Sequence, residues 1–410
     1  MQRTRGESAR RPSRRTLVLG LSLVQLIAWG SLLYSFAVFL DPVEVALEMS
    51  RAQTSLGFSI ALLVEGLLAF RVGRWIDAGH ERVLMTGGSV LAGIALIGHG
   101  LVHSAAGFYL AWAAIGAAMA ATLYTPAFAV VTRRFPGSYR DVIIVITFLG
   151  GLASTVFIPF TDWLIRHWDW RIASGALAAI NLSVCAPLHW WLLRDAPPPP
   201  EALQADAPDA ETGAALKAHL ASPVFWRLGA FMVLLLGVTA AVPPHLVSLL
   251  RESGLPPGWA IALPASIGVL QVLGRILLYA GDKWLDVDAT NHWAPALIPL
   301  ALLALLAGSG QWIAALVFAL LYGVGNGMLT IVRGTVMARY VSVAHVGALN
   351  GAIGVPLALA RAATPLLVGL LWTPARGYVP GLVLLVALAL LGVLMLWDGQ
   401  RRARSAGQAH

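Results

Sequence analysis

The sequence predicts an all-α polytopic membrane protein, with twelve transmembrane helices arranged as two pseudo-symmetric six-helix bundles. Three observations predict it. Apolar residues make up 58% of the 410-residue chain and charged residues 12%, where a soluble domain is about a quarter charged. Mean hydropathy is +0.76, and the apolar residues gather in runs of about 20, the length that crosses a bilayer. The alternation of a membrane β-barrel, apolar at every second residue, is missing. A polar, Pro-rich stretch interrupts the runs at mid-chain, with six on each side.

The basic segment MQRTRGESARRPSRR leads into the first span, 17–40. That run is too long for a removable signal peptide and has no small-residue cleavage site. The second span, 53–73, ends in GRWIDAGHERVL. The third is 83–102, and the fourth, 106–131, is Gly-containing and closes near Arg134. The fifth, 140–164, contains ITFLGGLASTVFIPF, and the sixth is 171–193. Residues 194–224 are acidic, Ala-rich and carry four consecutive prolines, which favour a stiff extended segment in a solvated linker. The seventh span, 225–250, contains Pro243-Pro244, and the eighth, 258–281, ends in GRILLYAGDK. The ninth is 291–308, the tenth, 311–338, closes near Arg339, the eleventh is 345–371 and the twelfth 378–398. The division is therefore tail 1–16, first half 17–193, linker 194–224, second half 225–398 and tail 399–410. Connections are short, so successive helices are antiparallel neighbours.

Charge sets the orientation. With both termini cytoplasmic, 19 of the 28 Lys and Arg fall in the tails and inner connections, and five (Arg51, Arg166, Arg171, Arg251, Arg376) in the outer ones. Basic residues collect on the cytoplasmic side of membrane proteins. The net charge of +8 is accounted for by this placement rather than by nucleic-acid binding. Arg outnumbers Lys 26 to 2, a skew of GC-rich bacterial genes, and the expected location is a bacterial inner membrane. The single cysteine, Cys185, allows no intramolecular disulfide and reads as a buried core residue. The 15 Trp read mostly as interfacial anchors, Trp163, Trp168 and Trp170 among them.

The two halves echo each other. Gly73, Arg74 and Asp77 at the end of the second span correspond to Gly274, Arg275 and Asp282 at the end of the eighth. Gly73-Arg74-Trp75-Ile76-Asp77 with Arg82-Val83 resembles the loop 2–3 signature of the major facilitator superfamily, although Ala78 stands at a usually basic position and His80-Glu81 dilutes the basic cluster. Trp29-Gly30 with Tyr34 and Phe36, Tyr124-Thr125-Pro126, Gly150-Gly151 with Pro159, Gly274-Arg275, Asn326-Gly327 and Asn350-Gly351 are similar to a bacterial branch near the monocarboxylate and oxalate/formate-type carriers. The resemblance implies a monomeric secondary transporter working by alternating access. It implies a cytoplasmic gate at Gly73, Asp77, Arg82 and Asp282, with Asp77 accepting from a helix start near residue 346. It also implies a substrate carboxylate held by basic residues of spans 8 and 11, where Arg275 and Arg361 stand.

The residues carry that reading independently. No metalloprotease, hydrolase, nucleotide-binding or Cys-rich metal motif occurs, so no cofactor or metal is expected and a membrane enzyme is a remote alternative. Four arginines fall inside spans, where each charge is costly and Arg cannot escape by deprotonating. Arg71 and Arg333 lie near inner ends, within snorkelling reach. Arg275 lies seven residues before Asp282, about 10 Å deeper, and Arg361 is deeper still. The only carboxylate deep inside a span is Glu65. Excess positive charge points to an anion site, and a planar guanidinium suits a carboxylate. Glu65 reads either as a latch to Arg361 or as a titrating group that couples a proton or counter-anion to transport. His245, after the double proline, reads as a pH reporter or as a satisfied interfacial histidine. Tyr34, Tyr124, Asn326 and Asn350 are the candidate polar lining. The expected function is transport of a small organic anion, a carboxylate. The alternative is efflux of drug-like or amphipathic metabolites, although ITFLGGLASTVFIPF lacks the Gly-Pro usual in span 5 of drug/proton antiporters.

Overall fold

The computed structural model describes residues 13–194, 210–280, 287–308, 310–343, 345–405 and 407. Asp282 lies outside them, as does 195–209 of the mid-chain stretch. Among the described residues twelve helices are long and apolar enough to cross a membrane. They are α1 (Arg14–Leu47), α2 (Arg51–Asp77), α3 (Glu81–Gly100), α4 (Ala105–Arg134), α5 (Asp141–His167) and α6 (Trp170–Leu192). The second set is α7 (Pro223–Glu252), α8 (Pro257–Leu278), α9 (Asp288–Ala307), α10 (Trp312–Tyr340), α11 (Gly354–Leu371) and α12 (Val379–Ser405). Short helices Ala210–Ala221 and Val346–Ala352 precede α7 and α11.

Each predicted span lies on one of these helices, and the differences at the ends have local causes. α1 continues past residue 40 to Leu47 because its polar residues there are neutralised: Arg51 meets Asp41 at 3.3 Å and Glu44 at 2.7 Å. The eleventh span is broken at Ile353. Pro356 has no N–H to donate to the Ala352 carbonyl, so the helix restarts there. Side-chain caps begin several helices. Ser50 and Gln53 form a capping box on α2, and Ser104, Asp169 and Ser222 cap α4, α6 and α7. Gly79 (φ 88°) and Gly254 (φ 83°) hold the left-handed turns after α2 and α7.

Each half has its own apolar core, one centred on residues such as Leu32, Phe58, Trp112 and Leu177, the other on Leu235, Val238, Phe318 and Tyr322. Large apolar side chains such as Leu67, Phe70, Ile94, Leu110, Leu300 and Leu394 stand exposed on the outside, the pattern of a surface solvated by lipid. The halves repeat at their helix crossings. A methyl on Gly116 of α4 would overlap the Ala61 backbone of α2, and one on Gly327 of α10 would overlap the Gln271 backbone of α8. Small residues at such crossings let helices approach within a membrane. They repeat in charge too. Buried Glu81, opening α3, pairs with Arg133 (3.0 Å) and Arg134 (2.5 Å) at the end of α4. Asp288, opening α9, pairs with Arg339 at 2.8 Å and accepts from Tyr340 at the end of α10.

Helix α1 begins and helix α12 ends at the same end of the bundle, here the terminal end; the other is the far end. The halves are locked together at the far end. Arg51 of α2 reaches Glu252 of α7 at 3.1 Å and donates to the Tyr378 hydroxyl. Arg251 of α7 bridges Asp41 of α1 (3.2 Å) and Asp162 of α5 (3.0 Å), and Ser248 donates to Asp41 at 2.5 Å. Beneath this network α2 lies on α11, from Gly369 against Ser55 down to Gly66 against Ala358, and α5 lies on α8, where Thr155 donates to the Ala265 carbonyl at 2.6 Å. Toward the terminal end the helices part. A methyl placed on Gly73, Gly347, Gly351 or Gly354 would meet nothing within 4 Å.

Candidate functional site

Between the halves lies a cavity of about 240 Å³, lined from both sides. It is built where helices break. α1 widens to a π turn over Gly30–Tyr34, with Gly30 pressed against the Phe157 ring. Such single-turn widenings re-aim side chains and are frequent at functional sites. α4 breaks at Leu123. Pro126 cannot donate to the Thr122 carbonyl, which instead accepts from Gln25 Nε2 at 2.6 Å. In α7, Pro243 likewise frees the Thr239 carbonyl, which accepts from the Tyr322 hydroxyl at 3.1 Å. α7 runs on unbroken through Pro243, and the carbonyls freed by Pro126 and Pro243 are satisfied by side chains.

The glycine pair of α5 makes room for the polar groups. A Cβ on Gly150 would sit 2.5 Å from the Tyr124 hydroxyl, and one on Gly151 3.2 Å from Arg275 Nη1. Arg275 donates from Nη1 to the Thr147 carbonyl at 2.5 Å, while its Nε has no partner. Tyr124, and Tyr34 with Gln271, stand within its reach. Trp29 closes this wall, its ring 4.7 Å from Tyr124 and 6.3 Å from Tyr34. On the opposite wall Arg361 of α11 pairs with Glu65 of α2 at 3.0 Å. Asn326, Thr330 and Arg333 line the cavity from one face of α10, as spacings of four and three require.

Six predicted residues therefore share one cavity: Tyr34, Glu65, Tyr124, Arg275, Asn326 and Arg361. Asn350 does not line it; it lies on the short helix Val346–Ala352. His245 lies behind the wall, fully buried, with Nε2 2.9 Å from the Pro365 carbonyl and Nδ1 3.3 Å from the Tyr378 hydroxyl. The first contact makes Nε2–H the donor and leaves Nδ1 to accept. Gly73 and Asp77 close α2, and among the described residues Asp77 has no hydrogen bond or ion pair. Arg82 stays within its own half, donating from Nε to the Trp190 carbonyl (2.9 Å) and covering the Trp190 ring at 3.6 Å. Sequence reasoning missed Gln271 and Thr330, noted Trp29 only as part of the span 1 resemblance, and left Arg333 at the interface. Gln271 is one turn before Arg275 and Thr330 one turn after Asn326, so helical spacing from the chosen residues was the available signal.

Twelve apolar helices in two repeated halves, around a cavity lined by charged and polar side chains, are the architecture of a membrane transporter. Residues 17–294 match the family model of the Major Facilitator Superfamily, and the chain belongs to that superfamily. Among curated relatives it is similar to monocarboxylate transporter 13 of Bos taurus, 27% identical over 362 residues, covering 83% of this chain and 81% of that one. The Rattus norvegicus protein of the same name is 26% identical over 360 residues, covering 83% and 80%. Among solved structures, a bacterial homolog of the human lysosomal transporter Spinster, in an inward-facing and occupied conformation, superposes with a TM-score of 0.73 at 16% identity, covering 95% of this chain and 97% of that one. The nucleoside transporter NupG does so with a TM-score of 0.68 at 13% identity, covering 93% and 98%. At these identities the two structures speak for the fold alone.

Proposed function

We propose that the protein is a secondary active transporter that carries a small organic anion, a carboxylate, by alternating access across a bacterial inner membrane, with both termini cytoplasmic. The observation that carries this reading is the charge of the cavity. Among the described residues Arg275, Arg333 and Arg361 face it against a single carboxylate, Glu65. Cations that cannot deprotonate, held in a largely apolar bundle, favour a ligand that brings negative charge. The similarity to proteins named monocarboxylate transporters points the same way.

In this reading the far-end network seals the outer side while the cavity opens to the cytoplasm. A carboxylate binds Arg275 beside Tyr124 and Tyr34, and Asn326 and Gln271 supply neutral hydrogen bonds. Glu65 and Arg361 hold α2 to α11 across the two halves. A substrate carboxylate that competes for Arg361 loosens that latch, which links occupancy to movement of the halves. Gly73, Asp77 and Arg82 close the cytoplasmic side in the opposite state.

The test is a thermal-shift screen of purified wild type, Arg275→Gln and Arg361→Gln against small carboxylates, cations, sugars and lipophilic drugs. A ligand at 100 times its dissociation constant adds about 2.7 kcal/mol of apparent stability. The expected result is that a carboxylate stabilises wild type and both variants lose the shift. Equal stabilisation of all three proteins by lipophilic drugs alone sinks the anion reading in favour of efflux.

A further inference from the structure

We propose that the transported anion carries two carboxylates, and that Arg333 is the residue that selects it. This rests on the reading of the cavity as an anion site and deepens it. The starting point is which cations are already spent. Arg361 is neutralised by Glu65 at 3.0 Å. Arg275 gives one N–H to the Thr147 carbonyl, a neutral acceptor that leaves its charge uncompensated. Arg333 makes no hydrogen bond or ion pair among the described residues, and its side chain stands open in the cavity. It feels the Glu65–Arg361 pair electrostatically, repelled by one member and attracted by the other. Among the described residues two positive charges are thus uncompensated.

Their placement is bipolar. Arg275 belongs to the wall of α8, α5 and α4 with Tyr124. Arg333 belongs to α10, two turns toward the terminal end from Asn326, about 10 Å along the helix. Asn326 and Thr330 lie between as neutral hydrogen-bonding groups on the same face of α10. A ligand with one carboxylate satisfies one pole and leaves the other guanidinium bare. That is tolerable while the terminal end is open and water reaches Arg333. It becomes costly when the end closes, because an unpaired charge is then taken out of water. A ligand with two carboxylates on a short aliphatic chain neutralises both poles, so that closure buries no net charge. Arg333 thereby makes closure depend on the second carboxylate.

The experiment compares matched pairs of the same chain length, butyrate with succinate and valerate with glutarate. Binding is read by calorimetry on full-length purified wild type, Arg333→Gln, Arg333→Lys and Arg275→Gln. Exchange is read in proteoliposomes. Wild type is expected to bind the dicarboxylate at least about tenfold tighter than its monocarboxylate partner, 1.4 kcal/mol per tenfold. Arg333→Gln is expected to bring the pair within about twofold by weakening the dicarboxylate alone. Arg333→Lys is expected to keep part of the preference, which guards against a merely structural loss. Arg275→Gln is expected to weaken both ligands. Equal dicarboxylate preference in wild type and Arg333→Gln overturns this inference and leaves the anion site standing. Failure of all four ligands to bind wild type overturns both.

Discussion

Replacing Glu65 by Gln should have two effects of opposite sign. The pair it breaks spans the two halves, Oε2 3.0 Å from Arg361, with the side chains 13% and 25% exposed. At about 4 Å and an effective dielectric near 20 the attraction is about 4 kcal/mol before desolvation is counted. Breaking a fully buried pair costs about 3–5 kcal/mol, and an exposed pair contributes about 0–1. Partial exposure, and the amide oxygen that Gln keeps for Arg361, put the loss at about 1–2 kcal/mol between those limits. At about 2.1 cal/mol/K per residue, the 410-residue chain then melts lower by about 1–2 °C. Anion affinity should move the other way. Arg361 no longer has a resident carboxylate, and a charged hydrogen bond to the ligand is worth about 1.5–3 kcal/mol, so binding tightens at least about tenfold. Melting without ligand and calorimetric titration with a carboxylate measure the two. An unchanged melting temperature together with weaker anion binding would refute the reasoning, because Glu65 would then be serving the ligand rather than holding Arg361.

Other predictions concern the frame around the cavity. Gly327→Val should abolish well-folded expression, because its Cβ overlaps the Gln271 backbone, while Gly73→Ala should be neutral, because it meets nothing within 4 Å; size-exclusion chromatography in detergent separates the two outcomes. Glu81→Ala leaves Arg133 and Arg134 facing each other without the carboxylate between them, and should cost about 3 kcal/mol, read as a lower melting temperature. Arg51→Gln removes the cation shared by Asp41, Glu44 and Glu252. It should raise far-end access, seen as faster labelling of a cysteine placed at Ser248, since native Cys185 is fully buried.

The helices were legible because hydropathy and length report on bilayer crossing directly. Arg275, Arg361 and Glu65 were legible because a charged group inside an apolar run needs a partner or a cavity, and Tyr34, Tyr124 and Asn326 because they stand in motifs that resemble the carboxylate-carrier branch; these six share one cavity. Gln271 and Thr330 were not, since a neutral side chain outside such a motif carries too small a burial cost to stand out. The far-end network escaped notice for a different reason. Asp41, Arg51, Asp162 and Arg251 sit at helix ends, where charge is the norm, and nothing local says that they face one another across two halves. Asn350 shows the converse limit. An Asn-Gly in an apolar segment looked like cavity lining, but the break at Ile353 puts it on a separate short helix. The role of His245 turns on Pro365 and Tyr378, 120 and 133 residues away, a contact no local pattern encodes.

The most direct test of an organic-anion transporter is exchange in proteoliposomes. Purified protein is reconstituted with unlabelled dicarboxylate inside, and uptake of the labelled anion is followed from outside. Saturable uptake is expected in wild type, falling to the protein-free level in Arg275→Gln. Uptake that is absent in wild type for every carboxylate tried, or unchanged in Arg275→Gln, would contradict it.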